Sequence, residues 1–122
     1  MPIFINHTNH PSDAWSTAQR TAAAVYGDII DLPFPRIDPE EDGEAVAARA
    51  AAAVQDIARC RPAAVLCQGE STYTYAVVRG LRAHGIPVLA ATSDRVVSVT
   101  RYPDGSSKKI SRFEFIRFRA YC

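Results

Sequence analysis

The chain has 122 residues, 48% of them hydrophobic, which suits one domain around one core. Its formal net charge of +1 names no partner, but the charge is uneven: residues 1–94 hold seven Lys/Arg against eleven Asp/Glu, and residues 95–122 hold seven against two. Three cysteines without metal spacing, no leader pattern and no apolar run long enough to span a bilayer give the expectation of a cytoplasmic protein with reduced thiols, no metal site and no membrane partner.

Pro2 to Ile5 reads as a short apolar strand, broken by the polar string Asn6-His7-Thr8-Asn9-His10-Pro11. Ser12, or Ser16 with Gln19 as a capping box, starts a helix with Trp15, Ala18, Ala22 and Val25 on one face, ended by Gly27. Asp28 to Leu32 is the second strand. Asp38-Pro39-Glu40-Glu41 has the form of a helix start: a capping Asp, Pro at the first helical position and acids in the first turn. This second helix is expected to run to about Arg59, with Val46, Ala50, Ala53, Val54 and Ile57 buried.

Ala63 to Cys67 is an unbroken apolar run, the mark of a strand buried on both faces, with Cys67 as a small core residue. Gln68-Gly69-Glu70-Ser71-Thr72 then turns the chain into a third helix burying Val77, Val78 and Leu81, with Gly69 permitting the turn and Ser71 or Thr72 as cap. A strand, a polar turn and a helix N-terminus make a site for anions, since exposed N–H groups and the helix dipole favour negative charge. Pro87 to Ala91 is the fourth strand and Thr92-Ser93-Asp94-Arg95 its polar loop. Val96 to Tyr102 and Lys108 to Tyr121 flank Pro103-Asp104-Gly105-Ser106, a hairpin signal, so residues 95–122 read as a C-terminal hairpin on a single domain, 1–122.

The order β-α-β-α-β-α-β plus hairpin implies a single doubly wound, Rossmann-like α/β domain, with a parallel sheet of strand order 2-1-3-4 and the hairpin on one edge. Ligands in such sheets bind beyond the carboxyl ends of the strands, where the order reverses, here between the first and third strands. The loops Asn6–Ser12, Gln68–Thr72 and Thr92–Arg95 are therefore expected to frame one crevice. His7 and His10 are each either an acid or base near neutral pH or a capping or solvent-exposed loop residue. Asn6, Thr8 and Asn9 either hold a ligand or form the turn, and Trp15 either stacks on a base or packs in the core. Glu70 acts as an acid or base, bonds a ribose hydroxyl, or simply sits favourably at a helix N-terminus. Gln68 and Gly69 belong to that same loop, and Ser71, Thr72 and Ser93 either bind phosphate or cap. Arg95 is a candidate for charge-assisted phosphate contact, as are Arg101, Arg112, Arg117 and Arg119. There is no G-x-G-x-x-G, Walker, G-x-S-x-G or Cys-x-x-Cys motif, which argues against dinucleotide, nucleoside triphosphate and hydrolase classes.

The strings FINHTNHPSDAW and VLCQGESTYTYAVVRGLRAHGIPVLAATSDR, with the closing RFEFIRFRAY, resemble a small family of single-domain CRISPR-associated proteins, stand-alone relatives of the CRISPR-associated Rossmann-fold (CARF-like) sensor domains. The likeness covers most of residues 3–95 plus that closing segment. It implies similarity to ring nucleases: a homodimer that binds a cyclic oligoadenylate messenger of type III systems, of which cyclic tetra-adenylate is the expected one. It also implies metal-independent cleavage by the ribose 2′-hydroxyl, leaving a 2′,3′-cyclic phosphate and needing no cofactor. The family transfers no catalytic residue; His7, His10 and Arg95 are assigned that role from loop position. Independently, Phe113, Phe115, Ile116 and Phe118 are more apolar than a solvent-facing hairpin needs, which also suggests a homodimer. No long DNA or RNA partner is expected. A sensor or sequestering protein without cleavage, a small α/β enzyme acting on a nucleotide or sugar phosphate, and a structural subunit that adds its hairpin to another sheet remain as other readings.

Overall fold

The run Ala64–Cys67 is buried at all four positions, and the sheet is built outward from it. In the computed structural model, which describes residues 2–122, the strands are β1 (Ile3–His7), β2 (Asp28–Asp31), β3 (Ala64–Cys67), β4 (Val88–Arg101) and β5 (Ser107–Ala120). The helices are α1 (Thr17–Ala24), α2 (Gly43–Arg59) and α3 (Ser71–Ala83), with a 3-10 turn at Ser12–Ala14. The five strands form one mixed sheet of order β2-β1-β3-β4-β5. The first three pairings in that order are parallel and the β4–β5 pairing is antiparallel. The expected order of the first four strands is present, and the fifth adds to the β4 edge.

Alternation along the strands sorts the core into two clusters, because successive side chains point to opposite faces. Ile5, Val65, Cys67 and Val88 pack with α2 and α3 through Val54, Ile57, Val77 and Leu81. Phe4, Ala64, Leu66 and Leu89 pack on the other face with Trp15 and Ala23. Phe4, Ile57, Leu66 and Leu81 are each at most 1% exposed, so each contributes roughly 1.5–3 kcal/mol by apolar burial. Gly80 lets α2 and α3 approach: a Cβ there would stand 2.8 Å from Val54 Cγ2. Burial pushes the Cys67 thiol up to about 12, which suits a core residue. Among the described residues, no helix is long and apolar enough to cross a membrane.

Several elements differ from the sequence expectation, each for a local reason. β1 continues through Asn6 and His7, because Asn6 pairs with Asp31 and Leu66 and His7 pairs with Cys67. The polarity of Asn6-His7 marks the end of a strand, not the start of a loop. The first helix starts at Thr17, capped by the Ser16 hydroxyl, which accepts from Gln19 N–H at 3.2 Å; Trp15 precedes it and Val25 is 83% exposed. Asp38 caps a turn and not a helix: its carboxylate accepts from Glu40 N–H at 2.9 Å and its carbonyl from Glu41 N–H at 3.0 Å. The second helix begins later, at Gly43, where Asp42 accepts from Ala45 N–H at 2.9 Å.

The fourth correction matters most for the site. Thr92–Arg95 is not a loop but the middle of β4, paired with Phe113, Glu114, Phe115 and Arg117 of β5. These polar residues mark solvent exposure on a two-stranded ribbon, which a sequence pattern reads easily as a loop. A register shift between Thr92 and Ser93 leaves Ile116 as the extra residue and bends the ribbon where it leaves the body.

Candidate functional site

An open crevice of about 870 Å³ lies at the carboxyl ends of β1 and β3, on the α1 side of the sheet. Its floor is Leu66, Gln68 and Gly69 from β3 and its following turn, with Ala91 and Ser93 from β4. One wall is Thr8–Pro11 with Trp15, Ala18 and Gln19; the other is Phe113 and Phe115 of β5. β1 has β2 on one side and β3 on the other, so this is where the chain's order in the sheet reverses.

The loop after β1 is held rigid from below. Asn6, 1% exposed, donates from Nδ2 to His10 O at 2.9 Å and to Asp31 Oδ1 at 3.0 Å. Trp15 Nε1 donates to the same His10 carbonyl at 3.0 Å, and His10 N–H donates to Thr8 Oγ1 at 3.1 Å. Thr8 Oγ1 donates to Asn6 Oδ1 at 2.8 Å. Asp31 Oδ2 accepts Ser12 N–H at 3.1 Å. Burial pushes the Asp31 carboxyl up, but the bonds from Asn6 and Ser12 outweigh it and hold the group below its ordinary value. With its backbone pinned on both sides, the loop presents the exposed side chains of Asn9 and His10 at the rim. Gln68 is fixed in the same way: its Oε1 accepts from Ala91 N–H at 2.7 Å, continuing the β3–β4 ladder by side chain.

Of the residues singled out in the sequence, the crevice brings together Thr8, Asn9, His10, Trp15, Gln68, Gly69 and Ser93. The others lie elsewhere. His7 follows Asn6 in the strand and so faces the opposite side of the sheet, 2% exposed. Its Nδ1 lies 2.7 Å from Leu32 O and its Nε2 2.7 Å from Tyr73 Oη. A carbonyl only accepts, so Nδ1 carries the proton, and the Tyr73 hydroxyl donates to Nε2. Burial lowers the His7 pKa, with the Leu32 bond opposing weakly, and burial pushes Tyr73 up to about 12. The pair is neutral and structural, and His7 has no path to the crevice. Asn6 holds the loop without lining the cavity.

Glu70, rather than Ser71 or Thr72, caps α3: its carboxylate accepts Tyr73 N–H at 2.8 Å and the Thr72 hydroxyl at 2.6 Å. Those bonds, the Thr72 hydroxyl first, lower its pKa. The negative charge at the start of α3 is therefore the chain's own, and it repels a phosphate at the place where the sequence pattern put one. Ser71 lines a separate cavity of about 360 Å³ between α3 and Tyr121. Arg95 is on the ribbon, with Nε donating to Ser111 Oγ at 2.7 Å, and is not part of the crevice wall. Gly69 is needed for packing more than for turning: a Cβ there would stand 2.3 Å from Phe34 Cζ.

Sequence reasoning missed Asp31, and it singled out Phe113 and Phe115 for a dimer contact without placing them at the crevice. Asp31 had a usable signal, because a polar residue closing β2 must neighbour the polar residue closing β1 in a parallel sheet. The two phenylalanines reach the crevice only because β4 continues unbroken through residues 92–95. Among the described residues, no Lys or Arg lines the crevice; His10 stands at its rim, and Glu114 borders it from a strand position between Phe113 and Phe115 that turns its side chain to the reverse face. A cavity with an aromatic wall, an amide and hydroxyl rim and one free imidazole suits a planar heterocycle with a polar edge.

A comparison with curated proteins finds no match. Residues 2–119 match the model of the uncharacterized protein MJ1673 family, and the chain belongs to that family.

Proposed function

We propose that the crevice binds the adenine nucleotides of a cyclic oligoadenylate, cyclic tetra-adenylate being the first to test, and that the protein cleaves the ring and so ends the messenger's signal. The observation that carries this reading is the position and lining of the crevice. It opens at the carboxyl ends of β1 and β3, between an aromatic wall, Phe113 and Phe115, and a rim bearing Asn9 and His10, over a floor that includes Gln68 and Ser93. The parallel β2-β1-β3-β4 core with helices on both faces supports the finer description as a doubly wound, Rossmann-like and CARF-like domain. The likeness of the β1 loop and the β3 turn to CRISPR-associated ring nucleases supports the choice of ligand, and a cytoplasmic location goes with a messenger made there.

The chemistry is in-line attack. The ribose 2′-oxygen bonds to phosphorus while the bond from phosphorus to the 5′-oxygen breaks. The 2′-proton passes to the His10 imidazole, and the departing 5′-oxygen takes up a proton from solvent water. The products are a 2′,3′-cyclic phosphate and a 5′-hydroxyl. Orientation supplies much of such a rate, and a positioned base adds roughly 10²–10⁴-fold. The second reading, a sensor or sequestering protein without cleavage, is favoured by one observation: Glu70 occupies the α3 N-terminus, so those N–H groups are withheld from a developing phosphate charge.

Incubation with cyclic tetra-adenylate in EDTA, followed by chromatography, separates the two. Linear products ending in 2′,3′-cyclic phosphate, slowed a hundredfold or more in His10→Ala, support the enzyme. Binding without products supports the sensor. Absence of binding, or equal binding by Ala18→Trp, which narrows the crevice from α1, overturns both.

A further inference from the structure

The outer half of the β4–β5 hairpin leaves the body of the protein, and its two faces differ in charge. Cross-strand partners share a face. The pairs Ser93–Phe115, Arg95–Phe113, Val99–Lys109 and Arg101–Ser107 therefore stand on the side that lines the crevice. The charged residues of that side are Arg95, Lys109 and Arg101, with no carboxylate among them. On the reverse side Asp94 and Glu114 sit among the cations, and Arg112 is tied to Glu114 at 2.7 Å. Phe113, directly paired with Arg95, is 75% exposed, a large aromatic surface to leave in water.

We propose that this side of the ribbon is a subsite for a short single-stranded oligonucleotide, continuous with the crevice. It rests on the crevice being a nucleotide site and extends that site. Among the described residues, no Lys or Arg lines the crevice to meet a phosphate, and the ribbon supplies three such side chains. Arg95 stands at the crevice mouth, Lys109 lies level with Val99, and Arg101 lies at the tip. Six residues of strand separate Arg95 from Arg101, about 20 Å, so a mononucleotide reaches the first cation and a strand of several nucleotides reaches all of them. Phe113 offers a flat face for a base beside the first phosphate, the pairing of stacking platform and basic track that sequence-tolerant single-strand binders use. Serine and valine fill the remaining positions, which leaves the cations unopposed.

The test is fluorescence anisotropy with labelled linear hexa-adenylate RNA, with AMP as competitor, over a range of salt. Three phosphate contacts to a single strand give log K against log salt a slope of about −2, and each lost contact removes about 0.7 from its magnitude. Lys109→Gln and Arg101→Gln should each show that loss. Lys108→Gln, one residue away on the reverse side, should not. Phe113→Ser should weaken binding roughly fivefold to a hundredfold, the loss expected for one stacked base. All four positions are exposed, so the fold is kept, as circular dichroism would verify. Hexa-adenylate binding no tighter than AMP overturns the proposal, and so does a Lys108→Gln loss equal to that of Lys109→Gln. Failure of the crevice reading registers separately, as an affinity for AMP that Ala18→Trp leaves unchanged.

Discussion

Replacing Tyr73 with Phe removes one oxygen and tests the assignment of His7 to the core. The Tyr73 and His7 side chains are 1% and 2% exposed, and their hydrogen bond is 2.7 Å long. The substitution keeps the ring contacts with Phe34, at 4.9 Å between centroids, and with His7, at 5.7 Å. What it leaves is a buried imidazole nitrogen without a donor, which costs about 1–3 kcal/mol. For 122 residues the entropy of unfolding makes each kcal/mol worth about 4 °C, so Tm should fall by about 4–12 °C. Urea unfolding should report the same loss with an unchanged m-value. Ligand binding in the crevice should not change, because the pair lies on the other face of the sheet. A shift under about 2 °C, or a loss of crevice binding with the fold intact, would refute the reasoning.

The same pair sets a pH dependence. The His7 pKa is lowered in the native state, so the unfolded chain takes up a proton that the native one refuses. Stability should therefore be full above about pH 6.5 and decline as pH falls from there to the lowered native value; His7→Gln should flatten that decline in denaturant titrations. Gly69→Ala should destabilise by about 1–3 kcal/mol through overpacking against Phe34, measurable by urea unfolding, and Phe34→Leu in the same chain should recover part of it. A thiol reagent should label two cysteines quickly, Cys60 and Cys122, and the third only on unfolding, since Cys67 is buried with its thiol held up near 12. Asn6→Ala should leave His10 O and Asp31 short of a donor each, lower Tm, and weaken crevice binding more than the exposed Asn9→Ala does.

Element order and the order of the first four strands were legible because the signals are redundant. Apolar runs, helical spacing and glycine stops agree at β3, α3 and their junction, and handedness then leaves few topologies. The helix starts were less legible because Asp and Ser cap turns as readily as helices. Asp38 and Asp42 both present a carboxylate ahead of a plausible helix, and only the turn closed by Glu40 and Glu41 decides between them. Glu70 shows the same ambiguity from the other side. It lay in the expected anion loop, but a carboxylate there makes the cap itself and fills the site it was thought to border.

The histidines show where a sequence stops deciding. His7 and His10 lie three residues apart in one polar string, and composition treats them alike. A strand of period two sends Asn6 and His7 to opposite faces, so extending β1 by two residues reverses their roles. In a sheet exposed on one face, hydrophobic alternation would have flagged the buried member of the pair. Here helices cover both faces, both residues are buried, and polarity carries no sign of direction. What distinguishes them is the partner across the sheet. Asn6 meets Asp31 and the loop carbonyl of His10, and it builds the crevice from beneath. His7 meets Leu32 and Tyr73 and ties β2 to α3. Residues so close in sequence therefore serve three ends: one supports the site, one locks the core behind it, and His10, beyond the strand, is left free at the rim. Among the described residues, acid–base chemistry in this crevice then runs through His10 or a group the ligand brings, and a folded His10→Ala variant that turned over at the full rate would place it on the ligand.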